Sequence, residues 1–153
     1  TTPPTPDMDA AATVRMEQAG LNALALALED PSGLGGAFAQ AVAVLLGITG
    51  RVAVTGIGKS GHVARKIQAT LASTGTPSFY VHPAEASHGD LGMVLPADAI
   101  LAFSNSGETT ELADIAAHAL RTGQPLLAVT SRASSTLAVT ATLALTLPAM
   151  PEV

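Results

Sequence analysis

The chain has 153 residues, of which 48% are hydrophobic, 12% charged and 3% aromatic, with a formal net charge of −5. That length suits one domain with a sizeable core, and seven scattered basic residues with few aromatics exclude a basic, aromatic-lined nucleic-acid surface. The absence of cysteine excludes disulfides and thiolate chemistry, and no apolar run approaches the roughly 18 residues that read as a membrane span.

In chain order, residues 1–7 are Thr/Pro-rich and read as a flexible N-terminus. They lack the basic start and apolar core of a signal peptide, so a cytoplasmic location is the expectation. Over 8–28, Ala12, Val14, Met16, Ala19, Leu21, Leu24 and Leu28 recur at three- and four-residue spacing and predict an amphipathic helix. Pro31-Ser-Gly33 stops it, and 35–47 predicts a second helix. Alternation follows: strand 51–55, helix 60–73, strand 77–81, loop 82–96, strand 98–103, helix 109–122, strand 125–130, short helix 134–140 and strand 142–147. The strands are short continuous apolar runs, as in a parallel sheet buried on both faces. The expected class is α/β: a doubly wound, five-stranded, flavodoxin-like sandwich with extra N-terminal helices. The last strand leads into Pro148–Val153 with no covering helix, so residues 8–153 read as a domain truncated at its C-terminus.

Two strand-to-turn junctions carry the chemistry. Val54-Thr55 breaks into Gly56-Ile-Gly58-Lys59-Ser60-Gly61, and the strand at 98–103 breaks into Ser104-Asn105-Ser106-Gly107-Glu108-Thr109. Strand, glycine turn and helix present backbone N–H groups and a helix N-terminus to an anion. The G-x-G-x-x-G spacing alone is a weak nucleotide signal. No carboxylate closes the second strand, which ends Val81-His82-Pro83, and the Walker spacing fails as well. The second loop brings three hydroxyls to one turn. Helix capping accounts for one of them; a phosphate accounts for all three. Lys59 is placed to meet the same ligand. Glu111, in the first turn of the following helix, is the candidate base, with Glu108 its competitor and simple helix-start electrostatics the plain alternative. His82, His88 and Asp90 lie in a loop at the carboxyl end of a strand and are candidate contacts, whereas His62 and His118 read as structural.

The stretch GIGKSGHVARKIQATLASTGTPSFYVHPAEASHGDLGMV, followed by SNSGETTE, closely resembles the D-arabinose 5-phosphate isomerases of the sugar-isomerase (SIS) domain class. The resemblance spans about 8–153 and is strongest over 51–111. It implies interconversion of D-ribulose 5-phosphate and D-arabinose 5-phosphate, a step towards the lipopolysaccharide sugar Kdo, in a homotetramer. It further implies Lys59, Glu111 and Glu152 as catalytic residues. Ser60, Ser104, Ser106 and Thr109 become phosphate contacts, Thr76 and His88 substrate contacts, and His82 a position linked to zinc. The family's paired CBS modules are not matched. The chemistry is proton transfer between C1 and C2 of an open-chain pentose phosphate through an enediol, which requires no redox cofactor or metal. The competing expectation is a non-catalytic sugar-phosphate-binding module: the phosphate loops serve either role, and Lys59 with Glu111 favours the enzyme.

Overall fold

The computed structural model describes residues 5–150. Five strands form one sheet: β1 (Val52–Thr55), β2 (Ser78–Val81), β3 (Ala99–Phe103), β4 (Leu126–Thr130) and β5 (Leu143–Thr146). All pairings are parallel, in the order β2-β1-β3-β4-β5. Six helices surround it: α1 (Pro6–Leu28), α2 (Leu34–Gly47), α3 (Gly58–Ser73), α4 (Pro83–Ala86), α5 (Ala113–Thr122) and α6 (Thr136–Thr140). This is the expected doubly wound sandwich. The segment read as loop 82–96 holds the one-turn α4 and a 3-10 turn at Asp90–Met93, too short for periodicity to reveal.

The period-2 geometry of the strands sorts their apolar side chains into two cores. Val52, Val54, Leu101 and Leu127 face α2 and α3. Ala53, Ile100, Ala102, Leu126 and Ala128 face the α5 and α6 side with Leu112, Ile115 and Leu137. Val52, Val54, Ile100, Leu126 and Leu127 are fully buried, each contributing about 1.5–3 kcal/mol of burial. At the amino edge, Asp98 pins the strand starts. It is 1% exposed and accepts from Arg51 N–H at 2.7 Å, Leu95 N–H at 2.9 Å and Arg51 Nη2 at 3.1 Å. Burial pushes its carboxyl up, but these donors and the Arg51 charge outweigh it, and the net direction is down.

Helix α1 begins at Pro6, inside the segment read as flexible. Proline suits a first helical position, and Asp7 and Asp9 complement the positive end of the helix. It packs on α2, yet none of its described residues is buried. Val14, Leu21 and Leu26 stay exposed, whereas Ala23, Leu24 and Ala27 are half-buried. The spacing identifies the helix correctly.

Candidate functional site

β1 and β3 are neighbours, so the two glycine loops leave the same edge of the sheet side by side. The chain turns towards β2 after β1 and towards β4 after β3. Their boundary is therefore the switch point at which doubly wound sheets bind ligands.

The first loop is a sharp strand-to-helix turn. Gly58 has φ +61°, and a Cβ on Gly61 would lie 2.8 Å from the Gly56 carbonyl oxygen, so both positions need glycine. Tyr80 braces the turn: its hydroxyl donates to the Gly56 carbonyl at 2.5 Å, with the Arg65 guanidinium 3.8 Å over its ring. Burial raises the Tyr80 phenol above its ordinary value against the opposing charge of Arg65, which keeps it a donor. Lys59 and Ser60 thus sit in the first turn of α3.

The second loop is closed on itself. Ser104 is buried; its hydroxyl pairs with Thr109 Oγ1 at 2.7 Å and accepts from Gly107 N–H at 3.0 Å. Ser106 is exposed, and its Oγ accepts from Glu108 N–H at 3.2 Å, which leaves its O–H to donate outward. The helix expected from Thr109 starts more gradually: Thr109 is extended, a 3-10 turn covers Thr110–Leu112, and α5 follows.

Between the loops lies a cavity of about 220 Å³. Lys59, Ser60 and Ser104 line it together with Asn105, Thr130 and Ser131; Val63, Phe103, Val129 and Leu147 supply apolar walls. Asn105, Thr130 and Ser131 were not singled out from sequence. Their signal is the Thr130-Ser131 step at the carboxyl end of β4, a third strand end beside the two loops. Ser131 donates to the Asn105 carbonyl through its N–H at 3.1 Å and its hydroxyl at 2.9 Å. Thr109 lines a second cavity, of about 210 Å³, on the α5–α6 side of the loop.

The remaining expected residues are spread out. Glu111 is exposed in the 3-10 turn, at the carboxyl edge of the sheet but outside both cavities. Glu108 turns away to α6, where it accepts from Thr136. His88 is exposed just after α4; Ser87 beside it donates to Asp114 at 2.5 Å, which ties that loop to α5. Thr76 precedes β2, whose first residue pairs with the first residue of β1. It therefore lies at the opposite edge of the sheet from the glycine loops and is not brought to the cavity. Glu152 lies outside the described residues.

His82 caps α4: its Nδ1 accepts from Ala84 N–H at 3.2 Å. A protein-held zinc needs three or four ligands. Among the described residues no group of three His, Asp or Glu could hold a metal. The described residues do not fit a zinc held at His82 by this chain alone.

The model of the SIS domain matches residues 47–153, well over half of the chain. The chain belongs to the SIS-domain family. A curated relative, arabinose 5-phosphate isomerase KdsD of Pseudomonas aeruginosa, is 54% identical over 105 residues, which make up 69% of this chain and 32% of that protein. The chain thus spans about a third of the length of such relatives. Among solved structures, the c3406 protein of Escherichia coli CFT073, in complex with arabinose 5-phosphate, superposes with a TM-score of 0.82 at 38% identity, covering 97% of this chain and 78% of that one. A putative phosphosugar isomerase involved in capsule formation from Bacteroides fragilis gives 0.77 at 33% identity, over 92% and 76% respectively. No helix among the described residues is long and apolar enough to cross a membrane.

Proposed function

We propose that this domain is the catalytic part of an aldose–ketose isomerase that interconverts D-arabinose 5-phosphate and D-ribulose 5-phosphate, in the branch that supplies Kdo for lipopolysaccharide. The carrying observation is the cavity at the β1–β3 switch point, where Lys59 and Ser60 of one loop face Ser104 and Asn105 of the other. Identity of 54% to a named arabinose 5-phosphate isomerase over 69% of the chain supports that substrate over other sugar phosphates.

In this reading the phosphate sits at the 104–109 loop. Ser106 and the loop N–H groups donate, and Ser104 and Thr109 exchange their mutual hydrogen bond for phosphate oxygens. Ser60 adds a donor from the facing helix start. Lys59 polarises the carbonyl oxygen. Glu111 removes the proton from the carbon next to the carbonyl and returns it to the neighbouring carbon. The enediol forms as C–H electrons move into the C1–C2 bond and the carbonyl oxygen gains a proton; reversing these moves on the other carbon gives the isomer. Glu152 is the expected assistant in ring opening. The change is internally redox-neutral, so it consumes no redox cofactor.

Glu111 is exposed in the single chain, whereas a working base needs a sheltered site. Thr76, at the far edge of its own sheet, reaches a substrate only from a neighbouring copy. Both features support an assembly, with a homotetramer in the cytoplasm as the proposed state. Incubating the natural full-length protein with D-arabinose 5-phosphate and measuring D-ribulose 5-phosphate tests this reading. Turnover with inorganic phosphate as a competitor is expected. Tight, saturable binding without turnover would support a sugar-phosphate sensor instead.

A further inference from the structure

Glu108 takes no part in the chemistry proposed above, yet it is the one charged side chain of the 104–109 loop. It reaches across to α6. Oε1 accepts from Thr136 N–H at 2.9 Å, and Oε2 accepts from Thr136 Oγ1 at 2.7 Å. The end of β4 and the start of α6 grip the loop elsewhere. Thr130 Oγ1 donates to the Asn105 carbonyl at 3.0 Å, and Leu137 N–H donates to the Gly107 carbonyl at 3.0 Å. The backbone of Glu108 in turn donates to Ser106 Oγ at 3.2 Å, so whatever fixes residue 108 fixes the orientation of the Ser106 hydroxyl. The Glu108 side chain is exposed, and its removal leaves no hole in either core.

We propose that Glu108 is a positioning residue: through Thr136 it locks the phosphate loop onto α6 and so holds Ser106 and the loop N–H groups in their binding geometry. This rests on the reading of that loop as the phosphate grip. The bonds from Thr136, joined by the nearby Arg132 charge, keep the Glu108 carboxyl below its ordinary range, so the lock is closed at neutral pH.

The test uses the natural full-length protein with Glu108→Ala, Glu108→Gln, Thr136→Val and the Glu108→Ala/Thr136→Val pair. Glu108→Ala is expected to raise KM for D-arabinose 5-phosphate and the inhibition constant of inorganic phosphate together, by about tenfold, the scale of one charge-assisted hydrogen bond. Its kcat is expected to stay within about threefold, since uniform binding rather than transition-state binding is lost. Glu108→Gln, which keeps one acceptor for the Thr136 N–H, falls in between. The double variant is expected to be no worse than Glu108→Ala, because both changes break one contact. Hydrogen exchange at the Thr136 and Leu137 amides should quicken in Glu108→Ala. Unchanged KM and phosphate inhibition, a fall in kcat at constant KM, or additive single effects would each overturn the proposal. A wild-type protein that neither turns over nor binds phosphate overturns the functional reading instead; the lock is then judged on exchange alone, and unaltered exchange in Glu108→Ala refutes it.

Discussion

The two carboxylates of the SGETTE run, three residues apart, are placed differently and are proposed to do different work. Glu108 is bound to Thr136, while Glu111 sits in the turn before α5 at the carboxyl edge of the sheet. Glu111→Gln keeps shape and hydrogen bonding but removes the proposed base. It is expected to lower kcat by at least about 100-fold, the lower end for a positioned base, while substrate still binds; near-normal kcat would send the search to Glu152. Ser106→Ala removes a donor to phosphate and is expected to weaken substrate affinity by about 1–3 kcal/mol, read by titration. An unchanged affinity would remove Ser106 from the grip.

At the scale of elements, the 104–109 loop meets the start of α6 so closely at Gly107 that no side chain fits there. Gly107 has φ +67°, and a Cβ there would lie 2.0 Å from Ser135 Oγ, in a residue that is itself fully buried. Gly107→Ala therefore combines left-handed strain with overpacking, and a loss of roughly 2–4 kcal/mol is expected in urea unfolding. Asp98 gives the opposite edge of the sheet a pH signature. Its folded carboxyl titrates below the unfolded value, so its stabilisation is present above the ordinary carboxylate range and is lost as pH falls through the folded value. Asp98→Asn is expected to weaken the fold at pH 7 by roughly 1–3 kcal/mol and to flatten its acid limb. An unchanged acid limb would show that other carboxylates govern it. Strand and helix order is legible in the sequence because short apolar runs and 3.6-residue spacing are local signals. The glycine loops are legible because turn chemistry is local as well. Asn105, Thr130 and Ser131 are not, since their convergence depends on β3 and β4 lying side by side, which no local spacing encodes. The same holds for the Glu108–Thr136 bond, made between residues 28 positions apart.

On the scale of the whole molecule, the exposed apolar residues on α1, with the proposed roles of an exposed Glu111 and a distant Thr76, support the proposed assembly. A net charge of −5 on a surface with few charges does little to keep copies apart. Sedimentation at micromolar concentration is expected to show a tetramer, with a monomer as the contrary result. Truncating α1 before residue 29 should lower both the assembly state and the activity, because cover for the cleft is proposed to come from neighbouring copies. The central claim is that the two glycine loops serve proton transfer and not binding alone. The most direct measurement is proton NMR of D-arabinose 5-phosphate incubated in heavy water with the natural full-length protein. The account predicts D-ribulose 5-phosphate carrying solvent deuterium at C1, the carbon to which the proton is returned, and loss of both signals in Glu111→Gln. Saturable binding of the sugar phosphate with neither isomer nor deuterium would contradict it.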